Sequence, residues 1–390
     1  MATTPPRRHE LDWLRVIAFG ILIFYHIGMF YVSWSWHVKS VHSLTVLEWP
    51  MLLVNPWRLL LLFFISGVAL SFFYSKRGLK MGLSDRAIRL GLPIVFGMLI
   101  GVMPQSYYQV LEAGSFRGDI VEFYPTYLAS AYVDDGLVTP TWNHLWYIVY
   151  LLVYSVIVAV LWQPLQRSTL GVKRWLDHPW RLVLLPVLPL IVVRLTLTPF
   201  FPTTHNLSWD WANHANCFLS LLLGVWVARE PWFWTRLHEL RITLAVLVLG
   251  SAAILGVCYL GSVSDAIVNS YPGLLWPLRV LRLAYTWWTI AALIGWSRQW
   301  LNRDGPWLRY LTGGVFAYYV VHQTIIVVAG YHLTRVGFSA PVEIAVLVIV
   351  TVASSAAIYE CVRRSPWLGV LIGIKPMRDR KPPRVQGVQV

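Results

Sequence analysis

Charge is scarce in this sequence: of 390 residues, only 13% are Asp, Glu, Lys or Arg, about half the share in an ordinary soluble domain. Against 57% hydrophobic residues, that scarcity excludes a water-soluble enzyme and a disordered chain, which needs charge to stay solvated. Cysteine is almost missing as well. Cys217, Cys258 and Cys361 lie far apart with no CxxC pair, so neither a zinc site nor a disulfide framework is spelled out. There is no HExxH and no His/Cys cluster, and no apolar run carries two histidines placed to face a haem; no metal and no permanently bound cofactor is expected. Acid is the rarer sign, with 18 Asp and Glu against 32 Lys and Arg. A basic excess can serve nucleic acid, but here it sits in small clusters between apolar runs, and nucleic acid is not an expected partner.

Apolar length is abundant. Ten stretches, roughly 11–34, 57–75, 90–108, 143–163, 182–200, 213–229, 241–261, 276–297, 308–329 and 342–361, approach the ~20 residues that cross a bilayer as helix. The expected fold class is all-α, a polytopic integral membrane bundle of about ten transmembrane helices. Many of the 22 tryptophans flank these runs, as interfacial belts do. The first run follows Arg7 and Arg8 like a secretory leader. It exceeds 20 residues, lacks a small-residue cleavage site and contains Arg15 and His26, so it is expected to stay as the first span. Lys and Arg concentrate on one side: 24 of 32 fall in 1–10, 76–89, 164–181, 229–241, 298–309 and 362–390, while the opposite loops hold Lys39, Arg117 and Arg335. The positive-inside rule then puts both termini in the cytoplasm. Residues 1–361 form the integral membrane domain on this reading. Residues 362–390 are a basic cytoplasmic tail, an irregular strip on the anionic inner leaflet. The longest loop on the opposite side, about 109–142, is acidic and aromatic, with Glu112, Asp119, Glu122, Asp134 and Asp135.

Ionisable groups inside hydrocarbon are costly, so each is a candidate site residue. Arg15 and His26 are eleven residues apart, about three helical turns plus 20° and ~16 Å along the axis. One stripe of the first span thus carries a fixed cation near its inner mouth and an imidazole deeper in. That pair suits a long anionic donor: the guanidinium grips phosphate or carbonyl oxygens and the imidazole serves as general base. The plainer alternative has Arg15 paired with Asp12 and His26 bonded to a neighbouring helix. Arg58 opens the second span ahead of Ser66-Gly67, which equally reads as a small-residue packing site. His144 and Trp146 open the fourth span, an arrangement that also describes an interfacial histidine between Trp anchors. Tyr319 and His322 share a face of the ninth. Arg86 and Arg89 sit three apart before the third, as phosphate ligands or as a topological anchor pair. The same residues would also serve a secondary transporter or flippase for an anionic or glycosidic solute, as proton relay and clamp.

Set together, these residues resemble the membrane acyltransferase family 3. Arg15 through His26 is similar to its Arg-x10-His signature, and Leu62-Phe63-Phe64-Ile65-Ser66-Gly67 to its Phe-Phe-x-Ile-Ser-Gly motif. Arg86-x-x-Arg89 resembles its cytoplasmic Arg-x-x-Arg element, and His144-Leu145-Trp146-Tyr147 and Tyr319-x-x-His322-Gln323 its later motifs. Ser35–Ser40, Arg58, Tyr359-Glu360 and Lys375-Pro376 are most like a branch that succinylates periplasmic glucans. Leu62 departs from the first Phe, and Thr324 stands where Pro usually follows His-Gln. The resemblance implies a multi-pass protein of the bacterial inner membrane. It would be an O-acyltransferase moving a succinyl or acetyl group from cytoplasmic acyl-CoA to a hydroxyl of an extracytoplasmic glycan. In it His26 and Arg15 are the catalytic pair and Arg86 and Arg89 bind the donor. Arg58, Ser66, His144, Trp146, Tyr319 and His322 complete the substrate-binding set, with Tyr319, Ser66 and Trp146 as alternative oxyanion donors. Acyl-CoA, the glycan and the bilayer are the implied partners.

Overall fold

A computed structural model describes residues 7–129, 137–259 and 261–374. In chain order the helices are α1 His9–Tyr31, α2 Glu48–Arg77, α3 Leu79–Phe96, α4 Met103–Glu112, α5 Ile120–Leu128, α6 Trp146–Val160, α7 Trp162–Leu176, α8 Pro179–Leu184 and α9 Val187–Thr196. They continue with α10 Trp211–Val227, α11 Pro231–Glu239, α12 Arg241–Cys258, α13 Gly261–Ser270, α14 Leu275–Trp300, α15 Pro306–Leu333, α16 Ala340–Arg364 and α17 Pro366–Leu371. There is no strand element among the described residues. The protein is an all-α multi-pass membrane bundle, as its composition dictates.

Among the described residues, eight helical stretches are long and apolar enough to cross a membrane: His9–Tyr31, Thr45–Arg77, Leu79–Glu112, Asn143–Val160, Pro179–Thr196, Arg241–Cys258, Pro306–Leu333 and Ala340–Arg364. The other two expected crossings exist as helices but fall short by that measure. α10 has 17 residues. α14 is 26 residues long, but its arginines, threonines and tryptophans dilute its apolarity. Tyr285, Trp287, Ile290, Ala291 and Ile294 of α14 are buried, so it meets protein where a lipid-facing helix would need hydrocarbon side chains.

The described chain forms two units. Unit one runs to Arg86 and resumes over Trp146–Thr312; unit two is Ala87–Leu145 and the chain from Gly313. In unit one, α1 and α14 both pack on α2. Glu10 and Asp12 in the first turn of α1 complement its dipole. At its other end Lys39 donates to the carbonyls of Met29 (2.6 Å), Trp34 (3.1 Å) and Val32. Burial of that ammonium lowers its pKa. The closest helix pair is α2 with α10, and glycine makes it possible. A Cβ on Gly67 would lie 2.0 Å from the Leu221 carbonyl oxygen, and one on Gly224 would lie 2.2 Å from that of Phe64. Backbone meets backbone, the small-residue packing of membrane helices. The Ser220 hydroxyl adds a 2.7 Å bond to the Leu60 carbonyl.

In unit two a π-helical turn, Gly97–Gly101, joins α3 to α4. The acidic loop expected after it contains α5, opened by an Asp119/Glu122 capping box that satisfies the first amides. Phe123 and Tyr127 of α5 pack on Tyr107 and Val110 of α4. Asp134 and Asp135 lie outside the described residues. The expected irregular tail is folded as far as Ile374: α17 packs against α16, and Gly369, Ile372 and Ile374 are buried. The apolar Pro-Trp-Leu-Gly-Val-Leu-Ile run there outweighs the basic pair before it. Lys375-Pro376 and the remainder of the expected tail lie outside the described residues.

Candidate functional site

The expected site residues divide between the units. Unit one holds Arg15, His26, Arg58, Ser66, Arg86 and Trp146, and unit two holds Arg89, His144, Tyr319 and His322.

On α1, Arg15, Phe19, Leu22 and His26 follow the i, i+4, i+7, i+11 rule of one face. Ile17 and Phe24, on the opposite side, are exposed, while Phe19 and Leu22 are buried. The stripe therefore faces protein. Phe19 sets its ring edge-on to Tyr147 at 6.0 Å, and Phe63 lies 4.7 Å from the same ring. The Tyr147 hydroxyl is 2.7 Å from Ser66 Oγ, and both Arg15 and Arg86 lie within its electrostatic reach. One phenol of α6 thus bonds Ser66 of α2 and lies within electrostatic reach of Arg15 on α1 and Arg86 on α3. Arg15 does pair with Asp12, at 3.0 Å through Nη2, and Asp12 also holds Arg7 at 2.7 Å. That uses one arm of the fork; Arg15 Nε is buried without a protein partner. Arg86 is half-buried, with its guanidinium 5.6 Å from the Phe73 ring centre.

Toward the His26 end of α1, Arg58 is 5% exposed. Its guanidinium stacks 3.3 Å above the Tyr25 ring, a cation–π contact strengthened by desolvation. Arg58 Nε and Nη1 are buried without partners. Trp146 is not open to a ligand on both faces, because His205 stacks on it at 4.3 Å and 15°. His205 has φ +56°, a left-handed conformation costly for a non-glycine residue. Fully buried Asp210 holds that turn: its carboxylate accepts from the amides of Thr204 and His205 (3.0 and 3.1 Å), from the Tyr150 hydroxyl (2.6 Å) and from Asn213 Nδ2 (2.7 Å). Crowding lowers the His205 pKa, opposed by Asp210 and reinforced by Arg58.

In unit two Arg89 projects from α3 at an exposed position. His144, in the turn Asn143–Leu145, is buried along with Tyr319 and His322. The His144 and His322 rings are 5.2 Å apart. His322 Nδ1 donates to the Tyr319 carbonyl (2.7 Å), His144 Nε2 to the Val320 carbonyl (3.2 Å), and the Tyr319 hydroxyl to the His144 carbonyl (2.5 Å). Each carbonyl partner fixes a proton position on its ring. Tyr319, one expected oxyanion donor, is committed to backbone. The hub is Gln105, fully buried. It accepts from Asn143 and Gln323 (both 3.1 Å) and donates to Thr324 (2.7 Å), which donates to the Gly101 carbonyl (2.6 Å). Thr324, read from sequence as a bystander to the chemistry, completes this network.

Sequence reasoning passed over Tyr147, Asp210, His205 and Gln105. Tyr147 stood in a motif already noted, next to the Trp146 that was chosen. Asp210 carried a signal too, as an acid between two tryptophans at the start of an apolar run. Among the described residues, no three His, Cys, Asp or Glu side chains are grouped so as to hold a metal ion.

Comparison with known proteins adds an independent line. A family model described as an acyltransferase domain, that of acyltransferase family 3, matches residues 8–360. Proteins named glucans biosynthesis protein C are similar over part of their length. The one from Salmonella gallinarum is 27% identical over 179 residues, 43% of each chain. Those from Salmonella paratyphi B and Salmonella heidelberg are 27% identical over 165 residues, 40% of each chain. The matched region thus spans less than half the length of these relatives. No solved structure matches the chain.

Proposed function

The chain belongs to acyltransferase family 3 and carries its acyltransferase domain, and from that premise we propose that it moves a short acyl group from cytoplasmic acyl-CoA to a hydroxyl of an extracytoplasmic glycan. The reading rests above all on the Ser66–Tyr147 hydrogen bond, with Arg15 and Arg86 within electrostatic reach of that phenol. Two guanidiniums near a hydrogen-bonding pair form a place for an anionic donor whose reactive carbonyl needs polarising. Names given to the relatives make a glucan the first acceptor to try. Their bacterial origin, with the one-sided placement of Lys and Arg, favours an inner membrane with both termini in the cytoplasm.

In the proposed mechanism Arg15 and Arg86 bind the donor's phosphates. Its flexible arm runs the ~16 Å along α1 toward His26. His26 removes the proton of the acceptor hydroxyl as that oxygen attacks the thioester carbonyl. The tetrahedral oxyanion forms at the His26 end of α1, where the Arg58 guanidinium lies over Tyr25, while the Ser66 and Tyr147 hydroxyls bind the donor nearer its phosphates. Its collapse breaks the carbon–sulfur bond, and the protonated imidazole returns its proton to the departing thiolate. Ester and free CoA thiol are the products, and His26 ends as it began. Arg58, with two nitrogens unspent, takes an oxygen of the bound substrate.

The test is thiol release from acetyl-CoA and succinyl-CoA by purified protein in detergent, with a glucan acceptor and no ion gradient. We expect turnover by the native chain, its loss in His26→Ala at unchanged melting temperature, and at least a tenfold drop in Arg15→Lys, where the fork geometry is lost. A fully active His26→Ala protein would remove the general base from the scheme. Solute flux that needs a proton gradient, without acyl-CoA consumption, would replace acyl transfer with transport.

A further inference from the structure

Three arginines of unit one have no role in that chemistry. Arg194 lies in the last turn of α9, and Arg279 and Arg282 lie early in α14. Arg194 is within electrostatic reach of both others. All three are half-buried. Among the described residues none has a carboxylate within ion-pair distance, although ten such pairs form elsewhere. Arg279 and Arg282 line a cavity of about 160 Å³ together with Tyr259, whose hydroxyl is buried without a protein partner. Three like charges held together repel one another and gain stability only from an anion between them. By the charge-bias orientation they stand at the extracytoplasmic end, where basic residues are under-represented.

The same two helices line a second feature. α9 packs on α14, and a cavity of about 630 Å³ opens beside them, walled by Pro186, Leu190, Leu223, Trp226, Thr286 and Ile290. Its wall is almost entirely apolar. Arg194 follows Pro186 and Leu190 at i+8 and i+4, and Arg279 and Arg282 precede Thr286 and Ile290 on one stripe of α14. The Thr286 hydroxyl bonds the Arg282 carbonyl at 2.8 Å, which marks that alignment. Cations therefore stand one turn beyond an oily groove on both of its helices. That is the layout of a phosphate headgroup above its acyl chain, in a helix-lined pocket of the kind that binds anionic lipids.

We propose that unit one carries a binding site for an anionic phospholipid, with its phosphate on Arg194, Arg279 and Arg282 and one acyl chain in the groove between α9 and α14. The full-length protein, purified in detergent and stripped of lipid, is titrated with dioleoyl phosphatidylglycerol, dioleoyl phosphatidylcholine and inorganic phosphate, and bound species are counted by native mass spectrometry. Phosphatidylglycerol should bind at least tenfold more tightly than phosphatidylcholine. Arg194→Gln/Arg279→Gln/Arg282→Gln should erase that preference, and Leu190→Trp, which fills the groove, should weaken both lipids. If the triple variant loses its fold, judged by melting temperature, Arg194→Gln alone decides the matter, with an expected loss of about fivefold, near 1 kcal/mol for one basic group. A preference that survives the charge removal overturns the site. Inorganic phosphate that competes on equal terms with the lipid overturns the acyl-chain half of it. None of these measurements reads acyl transfer, so the site and the proposed reaction stand or fall separately.

Discussion

The neutral polar cluster of unit two and the guanidiniums of unit one are satisfied to different degrees. In unit two, Gln105, Asn143, Gln323 and Thr324 bond one another, and the histidines His144 and His322 lean on backbone carbonyls. These residues are largely neutral, and hydrogen bonds among neutral groups stabilise a core that excludes water. In unit one the buried cations keep bonds in reserve: Arg15 Nε and Arg58 Nε and Nη1 have no protein partner. A buried charge without its full complement is unfavourable by itself, and it persists where a ligand supplies the missing half. Unspent hydrogen-bonding capacity therefore lies with the guanidiniums of unit one, while the two histidines of unit two bond backbone carbonyls.

The comparison is easiest to break with Arg58→Met. Removing a buried charge held by the Tyr25 side chain and by no carboxylate among the described ion pairs should leave melting temperature unchanged or raised, while acyl transfer falls by about 100-fold. Destabilisation with normal transfer per folded molecule would make Arg58 scaffold. Gln105→Leu should do the reverse. It removes the bonds to Asn143, Gln323 and Thr324, at about 3 kcal/mol of stability, and the surviving folded protein should turn over normally in a denaturant-matched assay. Lys39→Met should lower stability by about 2 kcal/mol by freeing the carbonyls that end α1. Its signature is faster hydrogen exchange confined to Met29–Trp34. The smallest effect concerns His205, whose pKa is lowered in the folded state. The stability of its neutral form is present above the ordinary histidine pKa of about 6.5 and is lost as pH falls below that, through the folded-state value. His205→Asn tolerates the left-handed turn and should flatten the acid side of the melting-temperature profile. An unchanged profile would move that titration to another group.

Much of this was legible in the sequence, and the reasons are physical. Membrane crossings are written as long apolar runs, and the Arg15–His26 stripe follows from helical period alone. The pairing of Arg15 with Asp12 was readable too, since i, i+3 neighbours share a face. Gln105 was not legible, because a neutral amide in an apolar run reveals itself only through partners distant in sequence, Asn143 in the next loop and Gln323 and Thr324 more than 200 residues away. Arg194, Arg279 and Arg282 are visible in the sequence only as separate cations near the edges of apolar runs; folding brings α9 against α14. Ser66-Gly67 held two meanings at once. The structure separates them, with Ser66 turned to Tyr147 and Gly67 to the backbone of α10.

The meeting of Gly67 with Leu221 and of Gly224 with Phe64 has a consequence for how a bulky substrate enters. Two rods locked main chain to main chain have no side chains between them to swing aside, so α2 and α10 form a keel. Any opening within unit one must be hinged elsewhere, at helix contacts made through side chains such as Met51 of α2 against Gly28 of α1.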